Sequence, residues 1–490
     1  MPAYRSRLIP SSPGREANDA LERSLAQLRR ELDFPGDFPA DVAAEAARAA
    51  REVPVAPSEG LADLRDIELL TVDPVGSTDL DQALHLERTT TGAVLHYAIA
   101  DVPAFVEPGG ALDAETRRRG QTLYAPDGRV PLHPPVLSED AASLLPNVDR
   151  RAFVWRFELD EGARPIATTL TRAVVRSGAQ WSYVDAQRAI DGGAAPASLL
   201  ALRWFGDARR ERERERGGAS LDMPEQVIER DASGYRLALE AALPIERDNA
   251  QLSLLTGMAA ADIMLRGGVG ILRTMPAASP EAIERFRSQT VALGLPWATG
   301  ETYGAYLARL DDSPAALAVR EQAASLFRGA GYLAFGTPAN PTAPSPANAL
   351  QSAIGAPYAH TTAPLRRLVD RFVLTICHAL ANGLDVPAWA RDALPDLPAI
   401  MTRTSQLASA LDRGAVDRVE AAVLSARIGE TFDAIVLSRR GETTSARVRL
   451  VDPPVEAEVV TAAPAGSRIR VRAAQASIPD GTVALAEVAP

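Results

Sequence analysis

Thr71-Val-Asp-Pro-Val-Gly-Ser-Thr-Asp-Leu-Asp-Gln82 is the part of the sequence that says most about the fold. It follows a region of about 60 residues with a helical pattern and lies in a region whose pattern predicts strands. Ile67 to Val72, which leads into it, has the length and apolar content of a short strand, and so has Asp81 to Arg88, which leads out of it. The stretch therefore predicts a strand–loop–strand junction that carries three aspartates, at positions 73, 79 and 81.

These aspartates can form one cluster. Asp79 and Asp81 are two residues apart and face the same way on a strand, and Asp73 can fold back toward them from the start of the loop. Like charges this close repel each other unless a proton or a cation joins them. An all-oxygen cluster favours Mg²⁺ or Mn²⁺, and two such ions can support phosphodiester hydrolysis. From spacing alone, a solvated acidic turn explains the same residues.

Composition limits the classes of protein that the chain can belong to. Its 490 residues suggest about three domains, and 46% apolar with 23% charged residues is an ordinary globular balance that excludes global disorder. No apolar run approaches the roughly 20 residues of a membrane span, and no apolar stretch follows the N-terminus as in a signal peptide. A single cysteine, Cys377, excludes an intrachain disulfide. We expect a cytoplasmic protein.

The net charge of −11 does not by itself suggest a nucleic-acid partner. All 52 basic residues are arginines, whose forked guanidinium groups suit phosphates. Biased codon usage in a GC-rich genome explains the same preference. The positions of the arginines therefore matter more than their number.

The periodicity of the chain predicts helices near its start and again at residues 365–380, and strands at its end. Asn18 to Leu32, Asp41 to Arg51 and Leu365 to Leu380 have helical spacing of apolar residues. The alternating charges of Arg209 to Arg216 indicate a solvated helix face. Five short strands are predicted after Arg427, as in a small OB-type barrel: Thr431–Leu437, Thr444–Leu450, Val455–Val460, Ser467–Ala473 and Thr482–Val488.

The surroundings of the aspartates resemble the catalytic domain of the ribonuclease II family, the RNB domain. The order and spacing of its motifs hold over roughly residues 60–425. Besides the aspartate stretch they are Ala98–Val102, Gly109–Asp113, Arg119–Tyr124, Pro131-Leu, Leu137-Ser, Ser143–Asn147, Gly217–Glu225 and Tyr358–Arg367. The resemblance implies hydrolysis of single-stranded RNA from the 3′ end, processively, with Mg²⁺ and with release of nucleoside 5′-monophosphates.

The resemblance implies an α+β fold, and with the helical reading of the first 60 residues the chain divides into three parts. These are a short helical N-terminal domain over 1–60, an RNB exoribonuclease catalytic domain over 61–426 and an OB-fold RNA-binding barrel over 427–490. The family typically begins with two cold-shock domains of roughly 60–70 residues each, which residues 1–60 cannot hold. A helix-turn-helix-like unit fits there instead.

Carried over by position, the family's four metal-site aspartates fall on Asp73, Asp79, Asp81 and Gln82. Asp81 is then also catalytic, and the cofactor is Mg²⁺, with Mn²⁺ as a substitute. The amide of Gln82 brings no charge, which implies a more weakly held cation. A second departure is the pair Ala250 and Gln251, which stands where the family usually has glutamates.

Four further residues are implied to bind RNA. Tyr124 matches the tyrosine that stacks on the 3′-terminal base, although a half-buried core tyrosine is the alternative. Arg366, implied to be catalytic as well, and Arg367 are expected to bind phosphate at a helix N-terminus. Their alternative is a solvated face with an Arg366–Asp370 pair. His360 is expected to line the RNA channel.

Two functions follow. The first is a Mg²⁺-dependent 3′-to-5′ exoribonuclease that acts as a monomer on single-stranded RNA, with no membrane association and no obligate protein partner. The second is a catalytically impaired RNA-binding protein on an RNB scaffold, which the departures at Gln82, Ala250 and Gln251 keep open.

Overall fold

The structure, a computed structural model, describes residues 15–219, 224–231, 234–311, 313–439 and 445–488. The first 14 residues of the predicted N-terminal domain, residues 220–223 of the Gly217–Glu225 motif and Thr444 of the second predicted barrel strand lie outside these ranges. Among the described residues, no helix combines the length and the apolar content that crossing a membrane requires.

Thirteen α-helices are present in the described residues. They are α1 Arg15–Glu31, α2 Ala40–Glu52, α3 Ala111–Arg119, α4 Tyr183–Asp191, α5 Ala197–Glu215, α6 Pro244–Gly267, α7 Pro280–Ala292, α8 Tyr303–Ala308, α9 Pro314–Ala323, α10 Pro346–Ala349, α11 Leu368–Ala381, α12 Ala388–Ala393 and α13 Leu397–Ser425. A π-helical turn, Leu137–Ala141, follows a proline-rich loop.

The described strands number nineteen. They are β1 Ala62–Asp63, β2 Leu69–Asp73, β3 Gln82–Thr89, β4 Gly92–Ala100, β5 Leu123–Ala125, β6 Gly128–Val130, β7 Asp149–Asp160, β8 Pro165–Ser182, β9 Glu225–Asp231, β10 Gly234–Glu240, β11 Gly270–Thr274, β12 Gly331–Phe335, β13 Leu350–Gln351, β14 Ala356–Pro357, β15 Thr431–Arg439, β16 Ser445–Leu450, β17 Glu456–Val460, β18 Arg468–Ser477 and β19 Thr482–Glu487.

The main sheet has the order β1-β8-β2-β3-β4-β7. The long strand β8 pairs with β7 through its first part and with β2 through its last, so that β8, β2, β3, β4 and β7 form a ring of paired strands. Its apolar side chains, among them Trp155 and Phe157, share one buried core with Leu252 of α6 and Phe372 of α11. This packing holds the end of β2 and the start of β3 next to α6 and α11.

The C-terminal sheet has the order β17-β16-β15-β18-β19, and β17 also lies against β19, which nearly closes a barrel. Val436, Val448 and Val471 point into it and are buried. The predicted α+β class with a five-stranded C-terminal barrel is therefore confirmed.

The two N-terminal helices pack in different cores. Leu21 and Leu25 of α1 join the core of the barrel and α13. Val42 and Ala46 of α2 join a core beside the main sheet that also contains Leu69. The predicted division at residues 60 and 426 stays a prediction.

The charge run in α5 is only in part a solvated face. Arg209 and Glu213 are buried, and Arg209 Nη1 donates to the carbonyl of Ala163 at 3.1 Å. Burial lowers the pKa of Arg209 to about 10. The prediction was wrong at these positions because residues four apart on a helix share one face. Here that face lies against the turn between β7 and β8 and against Gln251 of α6.

Candidate active site

The segment between β2 and β3 carries the aspartates. Asp73 ends β2, whereas Asp79 and Asp81 precede β3 rather than lying in it. Between them Leu80 is fully buried, its amide donates to Ser143 Oγ at 2.9 Å, and the Ser143 hydroxyl donates to the carbonyl of Thr78 at 2.7 Å. The buried leucine therefore anchors the segment between the two carboxylates.

Asp81 is the most enclosed of the three aspartates, with 5% of its surface exposed. Its Oδ1 accepts the amide of Leu365 at 2.7 Å, and its Oδ2 lies 3.7 Å from Arg366 Nε. Burial raises the pKa of Asp81 well above its usual range, although the charge of Arg366 acts in the opposite direction. A second positive charge at this site would stabilise the carboxylate.

Asp73 has an orphan oxygen. Its Oδ2 is buried and has no hydrogen-bond partner among the described residues. Burial, followed by the negative charge of Asp79, raises the pKa of Asp73 to about 7. A buried acceptor without a partner beside a like charge is an environment that a cation would relieve.

The residues fit a hard cation, although they do not form a finished metal site. Within the described parts of the chain, no three carboxylate, imidazole or thiolate groups are grouped closely enough to hold an ion. Asp79 is engaged elsewhere, because its Oδ1 accepts from Arg129 Nη1 at 2.6 Å. The orphan oxygen of Asp73 and the all-oxygen donor set suit Mg²⁺ or Mn²⁺. The assignment of Asp73, Asp79 and Asp81 as ligands stays a prediction.

Gln82, the predicted fourth ligand, uses both ends of its amide on protein partners. Its Oε1 accepts from the Tyr97 hydroxyl at 2.6 Å, and its Nε2 donates to the carbonyl of Thr362 at 2.6 Å. The Tyr97 hydroxyl also lies 3.0 Å from Ser253 Oγ. This network ties β3 to the segment before Arg366, which favours a structural role for Gln82 over ligation.

Replacement of Gln82 by methionine separates the two roles. We expect the Mg²⁺ concentration at half-maximal rate to stay within about twofold of the original value, while stability falls by about 1–3 kcal/mol because the Thr362 carbonyl loses its donor. Mg²⁺ titration of activity and thermal melting measure the two quantities. An Asp73→Asn variant is the positive control for a raised Mg²⁺ requirement. A several-fold rise with Gln82→Met would instead make Gln82 a ligand.

The arginine segment is not the start of a helix. Helix α11 begins at Leu368, and Arg367 precedes it in an extended conformation. The carbonyl of Arg366 accepts the amide of Thr122 at 3.0 Å, and the amide of Leu368 donates to the carbonyl of Gly120 at 3.0 Å. The prediction of a helix from Leu365 was wrong because this segment pairs with the loop before β5 instead.

The two arginines have different surroundings. Arg367 is largely covered, and its Nε and Nη2 donate to the carboxylate of the buried Asp370 at 3.0 and 2.9 Å. The predicted alternative of an Arg366–Asp370 pair is therefore wrong, since Arg367 takes that partner. The side chain of Arg366 is 46% exposed and faces Asp81. Of the two, Arg366 is the one placed to meet a ligand above the aspartates.

His360 lies beside this segment, against aromatic rings. Its Nδ1 is 2.8 Å from the hydroxyl of Tyr332, and its ring also contacts Tyr358. Burial, and then the charges of nearby arginines, lower the pKa of His360 well below its usual range. The imidazole is therefore neutral, and its place in an RNA channel stays a prediction.

Tyr124 is on β5 and is 52% exposed, which makes the alternative of a core tyrosine wrong. Its hydroxyl lies 3.5 Å from Asp79 Oδ2. The ring is accessible, but enclosure of the hydroxyl, and then the charge of Asp79, raise the pKa of Tyr124 to about 12, so the hydroxyl stays protonated. An accessible ring next to the carboxylates can stack on a base.

Sequence reasoning missed Arg129. It lies on β6 directly opposite Tyr124 in the β5–β6 hairpin, and its guanidinium contacts Asp79. The turn Pro-Asp-Gly, residues 126–128, was a signal for this hairpin, and the register it fixes brings residues 124 and 129 together.

Comparison with known protein families gives two matches. The RNB domain matches residues 61–383, and the RNase II-type exonuclease C-terminal S1 domain matches residues 430–488. The chain is similar to the exosome complex exonuclease RRP44 of Mus musculus, with 38% identity over 178 residues that cover 35% of this chain and 19% of that protein. The matched part is thus about a fifth of that relative.

Solved structures have the same fold. RNase R of Mycoplasma genitalium in complex with ribose methylated single-stranded RNA superposes with a TM-score of 0.84 and 18% identity, over 96% of this chain and 78% of that one. Yeast Ssd1, a pseudonuclease, superposes with a TM-score of 0.71 and 15% identity, over 90% and 55%. The fold is therefore found both in a protein that binds RNA and in a protein described as a pseudonuclease.

Proposed function

The chain belongs to the family of proteins with an RNB domain, and on that premise we propose that it is a hydrolytic, processive 3′-to-5′ exoribonuclease. Its substrate is single-stranded RNA, its cofactor Mg²⁺ and its product nucleoside 5′-monophosphates. One observation carries the proposal: Arg366 lies 3.7 Å from the buried Asp81, and its charge also acts on Asp73, whose Oδ2 is the orphan oxygen. A phosphodiester there would meet both the aspartate cluster and the half-exposed guanidinium of Arg366.

The chain's own residues then act as follows. Asp73, Asp79 and Asp81 would hold Mg²⁺, which when bound would supply activation of water and charge stabilisation at the phosphate. The fork of Arg366 donates to the non-bridging phosphate oxygens, on which negative charge grows during attack. The pair between Arg367 and Asp370 keeps the segment in place beneath it.

Incubation of 5′-labelled single-stranded RNA with the protein and Mg²⁺ tests the proposal. A ladder of shortened 5′ fragments together with mononucleotides supports exonuclease action from the 3′ end. Removal of Mg²⁺ with a chelator should stop the reaction, and Mn²⁺ should restore it. Internal fragments without mononucleotides would contradict the proposal.

The alternative function, an RNA-binding protein with little turnover, is favoured by the uncharged Gln82 and by the missing glutamates. Ala250 is exposed on α6, and Gln251 is buried, with its Nε2 3.2 Å from Glu213 Oε2. Neither position supplies a carboxylate. RNA that stays intact in the presence of Mg²⁺ and Mn²⁺ but shifts in a binding gel would select this alternative.

The proposed function includes a cellular location and an oligomeric state. We propose a cytoplasmic protein that acts as a monomer and whose partner is RNA; its ordinary globular composition is compatible with this setting. Light scattering of the purified protein measures its mass, which should correspond to one 52.0 kDa chain.

Replacement of Tyr124 by alanine should leave a longer limit product. A base–aromatic stack contributes about 1–3 kcal/mol, and a short RNA has few other contacts to make up for its loss. Cleavage of long poly(A) should therefore slow less than cleavage of the last few nucleotides. A denaturing gel of the end products measures the limit length.

Tyr124→Phe is the matched control, because it keeps the ring and removes only the hydroxyl near Asp79. It should digest RNA to the original limit. A Tyr124→Ala protein that still reaches the original limit would remove stacking from the role of this residue.

A further inference from the structure

Arg129 bridges three elements around the aspartates. Its Nη1 donates to Asp79 Oδ1 at 2.6 Å, and its Nη2 lies 2.7 Å from Glu139 Oε1 in the π-helical turn and 3.0 Å from Thr78 Oγ1. The Thr78 hydroxyl donates to the other Glu139 oxygen at 3.2 Å. The guanidinium is 28% exposed and Asp79 is 15% exposed, so solvent screens this pair only in part.

The contact decides what Asp79 can do. One of its oxygens is taken by Arg129, and the other lies 3.5 Å from the Tyr124 hydroxyl. Asp79 is thus oriented toward the β5–β6 hairpin, and the three aspartates do not close into a ready-made ion site within the described residues. A cation that uses Asp79 must compete with the guanidinium.

Glu139 gives Arg129 a second carboxylate. When Asp79 turns to a cation, Arg129 keeps its ion pair with Glu139, and its charge stays balanced. A strong ion pair between Glu139 and Arg129 reduces the need of Arg129 for Asp79 as a partner. Glu139 and the cation therefore both favour the release of Asp79 from Arg129.

We propose that Arg129 is a positioning residue that serves as the built-in counter-ion of Asp79 and lowers the affinity of the aspartate cluster for a divalent cation. The inference rests on the proposed cation-dependent function, because it assumes that Asp79 is a ligand. Two opposite effects follow. Loss of the Arg129 guanidinium frees Asp79 and tightens cation binding. Loss of the Glu139 charge leaves Arg129 more firmly bound to Asp79, and cation binding becomes weaker.

Titration of the full chain with Mn²⁺, without RNA and with free Mn²⁺ followed by electron paramagnetic resonance, tests this. We expect Arg129→Gln to lower the Kd for Mn²⁺ by about 3- to 10-fold and Glu139→Gln to raise it by a similar factor. A merely structural role of the bridge predicts that both variants melt earlier and bind Mn²⁺ equally or more weakly. If Arg129→Gln does not fold, Arg129→Lys replaces it. A single ammonium cannot hold Asp79 and Glu139 with separate nitrogens as the fork does, so the Kd should still fall, whereas a merely structural role predicts an equal or higher Kd.

Three results would overturn the role of Arg129. They are an unchanged Kd for Mn²⁺ in either folded variant, a change of Kd in the same direction in both variants, and no Mn²⁺ binding by the unsubstituted protein at millimolar concentration. The readout needs no hydrolysis, so the two proposals can fail separately. If the variants show both shifts in Kd but the protein leaves RNA intact, the exoribonuclease proposal is contradicted and the counter-ion role of Arg129 is supported.

Discussion

Replacement of Asp81 by asparagine is expected to slow RNA hydrolysis by at least about 100-fold. Loss of one group that stabilises charge in the transition state typically has an effect of this size. Asparagine keeps an oxygen for the amide of Leu365 but brings no charge for a cation or for Arg366. RNA affinity is distributed over many phosphate and stacking contacts, so it should change by no more than about twofold. Single-turnover rates and binding isotherms on the same RNA measure the two quantities.

Asp140→Asn is the matched control, because Asp140 is an exposed aspartate whose described ion pair is with Arg150. It should leave both the rate and the affinity unchanged. Near-normal hydrolysis by a folded Asp81→Asn protein would remove the aspartate cluster from the mechanism.

The neighbouring arginines should differ sharply when each is replaced by alanine. Arg366→Ala is expected to lower kcat by about 100- to 1000-fold with little change in melting temperature, because the side chain is half exposed and has only a long contact to Asp81. Arg367→Ala is expected to destabilise the protein by about 3–5 kcal/mol, because it leaves the buried Asp370 without its ion pair.

Thermal melting and kcat of both variants provide the comparison. Arg366→Lys keeps the charge without the fork and should give an intermediate rate if bidentate donation to phosphate matters. Equal loss of stability in the two alanine variants would mean that both arginines are structural, and a normal kcat in Arg366→Ala would exclude its proposed role.

Local patterns predicted local structure well. The junction between β2 and β3 and the five barrel strands follow from apolar alternation over a few residues. The start of α11 was missed because the amide of Leu368 and the carbonyl of Arg366 pair with the loop at Gly120 to Thr122, roughly 250 residues earlier. No periodicity within the segment itself reports such a pairing.

The site was predictable to a similar degree. The resemblance put Asp73, Asp79 and Asp81 into one cluster, but residue type alone could not show what each side chain contacts. Gln82 finds a partner 280 residues away at Thr362, and Asp79 finds Arg129 across a hairpin. These choices depend on tertiary geometry, and they decide which oxygens remain for a cation.

The position of α1 in the core of the C-terminal barrel has a consequence for the order of synthesis. Ser24 Oγ donates to the carbonyl of Ile478, 454 residues later. At about 5–20 residues per second, a helix made early waits roughly 20–90 s for the strands that cover it. During that time Leu21, Leu25 and Leu28 lack the part of their apolar core that α13 and the barrel supply. The growing chain thus carries an amphipathic helix whose apolar face is only partly covered until its last strands emerge.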